Sequence, residues 1–356
     1  MSALVLCGVA VLSGCTPSVS APTPTPTSSS SSASPTADAL TRPRSALPLS
    51  CAQILSLSEL RSHLVDPVTV QIDETHAPRR LDEIAVLQVG GMQCAWGGRN
   101  MTDATWDTGV TLAVLPDATA DFTAWEADPS APHAVTGTLG DFSGLTCEST
   151  GDASGDWCAG DVLVGTSWIS FTVDDIGGAA GAGVSTTATV IGAVVDAVRG
   201  AGPARSNWTP PTDAVTGIEF CTQSTTASEI LGAPVGPIDA DFAPAPDLAL
   251  VASNRADVSG CDFTDASSRR FTVSTLPAGA WALPIVAAAP PLWTLLGRPT
   301  PFDVSGTDGA LRACGDGCQA LVSVGGSLLQ VYDSQTGNDA QFALIVQKTA
   351  AAIRGV

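Results

Sequence analysis

Eight of the chain's ten cysteines repeat, and that repetition limits the fold more than any other feature. Positions 51, 94, 147 and 158 form one set, and positions 221, 261, 314 and 318 form another. The second-to-third gap is 53 residues in both sets, and the first gaps are 43 and 40. Only the last gap differs, 11 against 4. Self-similarity on this scale divides a chain into copies of one structural unit. The flanking residues agree. Cys51, Ser56, Glu59 and Leu60 align with Cys221, Thr226, Glu229 and Ile230 at identical spacing. Cys94 and Trp96 align with Cys261 and Phe263 in an alternating, strand-like pattern. Ala197-Val-Arg-Gly200 is mirrored by Ala352-Ile-Arg-Gly355.

Local patterns give each copy its elements. Ser56 with Glu59, and Thr226 with Glu229, have capping-box spacing. These glutamates are therefore expected to start helices rather than to catalyse. Residues 108–115, 162–173 and 320–332 read as strands. Val190, Val194, Val195 and Val198 form a helical stripe, as do Phe342, Ile345, Val346 and Ile353. Gly200 and Gly355 are expected just past the helix ends, with Arg199 and Arg354 against the negative pole. The expected fold class is α+β, with two repeated modules, 51–202 and 221–356. Each is an antiparallel sheet packed against an N-terminal and a C-terminal helix. A proline-bearing linker, 203–220, joins them.

The compartment follows from the N-terminus. Residues 3–12 are an apolar run of ten, short of the ~20 that cross a bilayer, and read as the core of a secretory signal. Leu12-Ser13-Gly14-Cys15 resembles the bacterial lipobox. That resemblance implies a signal peptide at 1–14 and a diacylglycerol on Cys15, with membrane attachment through the N-terminal lipid. No Lys or Arg precedes Arg42, whereas a signal normally opens on basic residues, so the true start is expected upstream of Met1. Residues 15–50 are rich in Pro, Ser and Thr and read as a solvated tether.

Export makes the remaining cysteines a disulfide framework. Four cysteines allow three pairings. The variable last gap favours Cys51–Cys94, Cys147–Cys158, Cys221–Cys261 and Cys314–Cys318. An insertion between the third and fourth cysteine is harmless if those two close a local hairpin. No metal site or cofactor is expected. His63, His76 and His133 lie in the first module at no ligand spacing, while the second repeats the cysteines without a histidine. The acidic run Asp152 to Asp156 lacks the glycine and the bidentate glutamate of a calcium loop. Signatures of serine hydrolases, zinc proteases and phosphate loops are missing from the sequence, so the chain reads as a non-enzyme.

Cys51, Ser56, Glu59, Cys94 and Trp96, behind a lipobox and a tether, resemble a domain of actinobacterial surface lipoproteins of uncharacterised function. The second module matches with Phe263 in place of Trp. The resemblance implies anchoring on the extracytoplasmic face and a binding or sensing role.

Charge narrows the partners. The formal net charge is −20, from 35 acids and 15 bases, which repels phosphate backbones and excludes nucleic acid as a partner. The first module carries 20 acids against 5 bases, the second 12 against 7. Residues 271–297 contain no charge, and Pro284, Pro290 and Pro291 rule out a membrane-spanning helix there. This segment is either buried against the first module or its own sheet, or it forms an apolar binding patch around Trp281, Pro284 and Trp293. The eight tryptophans are scattered, which favours core filling over a sugar-stacking face. The expected role is non-catalytic binding or sensing at the cell envelope, with an envelope protein, a cell-wall component or an apolar ligand as partner. The alternatives are an envelope hydrolase whose site assembles in space around a histidine, or a purely structural envelope protein.

Overall fold

Successive strand residues face two different layers, the module's own C-terminal helix on one side and the inter-module core on the other. The structure is a computed structural model that describes residues 42–63, 80–99, 106–128, 139–149, 156–174, 183–202, 208–209, 214, 221, 224–237, 247–288, 299–315, 317–335 and 339–354. The signal segment, Cys15 and most of the tether lie outside these residues, as do His76, His133, Asp152 and Trp293.

The first module runs α1 (Cys51–Ile54), α2 (Leu57–Arg61), α3 (Leu81–Gln88), β1 (Met92–Arg99), β2 (Trp106–Leu115), α4 (Thr119–Glu126), β3 (Phe142–Ser149), β4 (Asp156–Val164), β5 (Ser167–Asp174) and α5 (Gly183–Gly200). Its antiparallel sheet has the order β1-β2-β5-β4-β3. The second runs α6 (Ser224–Leu231), β6 (Val235–Pro237), α7 (Leu248–Arg255), β7 (Ser259–Asp265) and β8 (Arg270–Leu276). A 3-10 turn (Gly279–Ala282) then enters α8 (Leu283–Ala288), followed by β9 (Thr300–Pro301), β10 (Gly309–Cys314), β11 (Cys318–Val324), β12 (Ser327–Asp333) and α9 (Asp339–Ile353). Its sheet order is β6-β7-β8-β12-β11-β10-β9. The central five strands repeat the topology of the first module, with short β6 and β9 added at the edges. The fold is therefore α+β with two sheets, one per module.

Each outer face is sealed by the C-terminal helix. In the first module Trp96, Leu112, Ile169 and Phe171 pack with Val190, Val194, Val195 and Val198 of α5. In the second, Phe263, Phe271, Val322 and Val331 pack with Phe342, Ile345 and Val346 of α9. The disulfides join Cys51 to Cys94, Cys147 to Cys158, Cys221 to Cys261 and Cys314 to Cys318. Cys147 faces Cys158, and Cys314 faces Cys318, as direct cross-strand partners. The longer links tie the N-terminal segment of each module to its first central strand.

Two helix boundaries depart from the expected ones. Ser56 does cap α2, accepting the Glu59 amide at 3.2 Å. Thr226, however, lies inside α6, which begins at Ser224. Gly200 is the last residue of α5, and the left-handed turn comes two residues later, at Gly202 (φ 74°). The apolar stripe placed the helices correctly, but it carries no information about where the last turn unwinds.

A third core lies between the modules, which belong to one compact unit, Ala39–Val356. Leu115, Leu163 and Trp168 of the first sheet meet Leu276, Leu311, Leu321 and Leu328 of the second through α3, α4, α7 and α8. Phe122 and Trp125 of α4 close a ring cluster on Trp168, with centroids 5.2–5.6 Å apart. The contacts are reciprocal. Helix α3 reaches β8 of the second module, and α7 packs on β2 and β5 of the first. Gln88 ends α3 and donates Nε2 to the carbonyl of Pro277 at 2.7 Å. Arg255 ends α7 and donates to the carbonyl of Pro116 at 3.1 Å. Pro116 and Pro277 hold equivalent places after β2 and β8. Each is followed by a residue with positive φ, Asp117 (53°) and Ala278 (57°). Arg255 adds an ion pair to Asp121. The interface thus repeats itself about a pseudo-twofold axis.

Candidate functional site

Most of the described part of the charge-free segment is buried, and Trp281 at its centre lies inside rather than on an exposed patch. Trp281 is 4% exposed in the inter-module core, and its indole N–H donates to Gln88 Oε1 at 3.2 Å. Pro284 is exposed beside it, and Trp293 lies outside the described residues. Leu276, Trp281, Ala282 and Val286 of the segment face the other module, where a charge would be desolvated without a partner. Trp96, Trp125 and Trp168 are also buried, and Trp157 is the exposed one among the described tryptophans. His63 sits in the turn after α2, its amide donating to the Leu60 carbonyl at 2.9 Å. Cys314 and Cys318 lie close to the Asp339 carboxylate, but both sulfurs are spent in their disulfide and offer a metal no thiolate.

The described residues enclose a cavity elsewhere, on the inner face of the first sheet. It has a volume of about 380 Å³. Its floor is Gln93 of β1, Thr111 of β2, and Ser170 and Thr172 of β5, and its walls are α3, through Glu83, and the start of α7, through Asp247. Strand alternation puts the floor residues on one face. Gln93, Ala113, Ser170 and Asp161 form one row across four strands. Ala95, Thr111, Thr172 and Ala159 form the next. Thr111 and Thr172 are joined hydroxyl to hydroxyl. Asp247 caps α7, accepting the Leu250 amide at 2.7 Å.

The second module has the same rows with different contents. They read Gly260, Ser274, Gln330 and Leu321, then Asp262, Thr272, Tyr332 and Gln319. Gln330 and Tyr332 stand where the first module has Ser170 and Thr172. Gln330 Oε1 accepts the Leu81 amide of α3 at 3.1 Å. The second groove carries larger side chains at these two positions than the first. Leu321 joins the inter-module core, while its counterpart Asp161 is a half-buried carboxylate.

Asp161 accepts from the indole N–H of Trp168 at 2.7 Å. Burial pushes its carboxyl up from 3.8 to about 6, and the hydrogen bonds from Trp168 and Ser170 only partly oppose this, while the nearby Asp247 charge adds to it. The fold therefore favours the protonated acid. That contribution is fully present below pH ~3.8 and is lost as pH rises through about 6. Asp161→Asn keeps the acceptor for Trp168 and removes the titration. The variant is expected to match wild type near pH 4 and to be more stable at pH 7.5 by on the order of 2–3 kcal/mol. Denaturant midpoints at both pH values check this; a variant-minus-wild-type difference that does not change with pH would rule Asp161 out.

The open groove escaped sequence reading because its residues are small, polar and far apart in sequence. Aligning the inner faces of the two copies strand by strand, rather than their cysteines, would have exposed it.

No protein-family model and no curated protein matches the chain. Among solved structures it has a slight likeness to the crystal structure of the di-domain ARO/CYC StfQ from the steffimycin biosynthetic pathway. The match has 8% identity and a TM-score of 0.14, covering 87% of this chain and 94% of that one. An overlap this slight carries no argument. Among the described residues, no helix is long and apolar enough to cross a membrane.

Proposed function

We propose that the protein is an extracytoplasmic lipoprotein, anchored through Cys15, whose two modules form one binding body for a small molecule at the cell envelope. The observation that carries the binding reading is the cavity of about 380 Å³ on the first sheet, whose floor has Ser170 and Thr172 where the second module has Gln330 and Tyr332. Its volume lies at the small end of the ~300–1,000 Å³ typical of small-molecule sites. Stable elements surround it: a disulfide-tied sheet below and two helices of the inter-module core at the sides. Rigid walls suit recognition, because little ordering cost is left for the moment of binding. The lipobox supports the anchor, and four disulfides suit an oxidising compartment.

Two measurements test the reading. Mass spectrometry of the native N-terminal peptide is expected to find a diacylglycerol on Cys15; a bare thiol there overturns the anchor. The full chain purified from native membranes is expected to carry a small molecule that is lost in Ser170→Gln/Thr172→Tyr, which gives the first groove the contents of the second. A ligand that persists in that variant, or none in either form, counts against binding at this cavity.

A further inference from the structure

We propose that the cavity receives a small organic cation, an amine or guanidinium carried on a short chain; this rests on the binding reading above. The lining supplies acceptors and negative charge. Gln93 Oε1 is buried and has no hydrogen-bond partner among the described residues. A buried acceptor in that state favours a ligand that brings an N–H or O–H donor. Thr111, Ser170 and Thr172 add hydroxyls to the floor. Glu83 of α3 and Asp247 at the start of α7 bring carboxylates to the lining, and Asp161 stands beside Ser170 in the adjoining strand.

Positive charge is missing from this lining. None of the described residues around the cavity is basic. Arg80 is near enough to feel Asp247, but Asp82 holds its guanidinium, with Nε at 3.0 Å from the carboxylate. The wider field has the same sign, with 20 acids against 5 bases in the first module. Such a field concentrates cations at a cleft.

Comparison of the two copies sharpens the ligand class. Around the second groove, Leu250 replaces Glu83, Arg80 replaces Asp247 and Leu321 replaces Asp161. The carboxylate in the rows of the second groove, Asp262, is held by Arg270 and Thr272. A bare metal ion fits poorly. Among the described residues, no three His, Cys, Asp or Glu ligand atoms converge at this cavity. Acceptors spread over a floor and two walls suit several N–H donors spaced along one molecule. Val86 and Leu248 leave apolar surface for its carbon stem.

Titration calorimetry of the full chain at pH 7.5 tests this, with agmatine as the cation, myo-inositol as a neutral polyol and citrate as an anion. Agmatine is expected to bind and citrate not to. Ser170→Gln/Thr172→Tyr should abolish agmatine binding. Asp247→Asn, which keeps a good helix cap, should weaken it about tenfold. Asp161→Asn should weaken it at pH 7.5 and flatten the loss of affinity expected on going to pH 5, a readout that a merely structural aspartate would not move. Inositol binding equal to or better than agmatine, and lost in the filled variant, overturns the cation while leaving the cavity a binding site. Agmatine binding that survives the filled variant places the cation elsewhere and overturns the proposal. No binding by any probe also overturns it, and the co-purified ligand then decides separately whether the cavity binds anything.

Discussion

Trp281→Ala is expected to destabilise both modules together, by about 3–5 kcal/mol. The side chain is 4% exposed and belongs to a core made of both sheets, so its loss opens a void that neither module can close alone. It also strips a hydrogen bond from Gln88, whose carboxamide already bridges to the Pro277 carbonyl. Hydrogen exchange followed by mass spectrometry gives a local readout. Amides in β1–β5 should lose protection in step with those in β7–β12, although the substitution lies in the second module. Loss confined to the second module would mean that the shared core does not couple them.

The second large effect concerns the disulfides, and the pairing predicts unequal costs. Removing Cys51–Cys94 by double alanine substitution frees a loop of 43 residues and should cost about 4 kcal/mol. Removing Cys314–Cys318 frees a loop of only 4 residues and should cost about 2 kcal/mol. Cys94 is 1% exposed, so its truncation adds a packing loss on top of the chain entropy. Denaturation of the two variants under non-reducing conditions checks the order. If the short loop proved the costlier one, chain entropy would not be what these links supply.

What could be read from residues alone followed what repeats and what alternates. Cysteine spacing marked the modules, and the unequal last gap pointed to Cys147–Cys158 and Cys314–Cys318 as hairpin links. Valine periodicity placed α5, and Ser56 placed α2. Thr226 misled because a Ser/Thr-x-x-Glu pattern also fits inside a helix, and α6 begins two residues before it. Trp281 could be read either way: a charge-free run looks alike whether it faces solvent or a partner surface. The cavity was illegible for another reason. Its floor comes from β1, β2 and β5 and its walls from α3 and the start of α7, and no local period links Gln93 to Asp247. Strand register gathers the floor residues, and the packing of α7 on the first sheet brings Asp247 to them.

The reciprocal contacts of Gln88 with Pro277 and of Arg255 with Pro116 have a consequence for assembly at low abundance. A self-complementary interface between separate subunits dissociates as subunits become scarce. Here both halves sit on one chain, so each meets its counterpart at an effective concentration set by the linker rather than by abundance. Expression level then has no hold on assembly, and a single copy of the chain carries the whole interface with it.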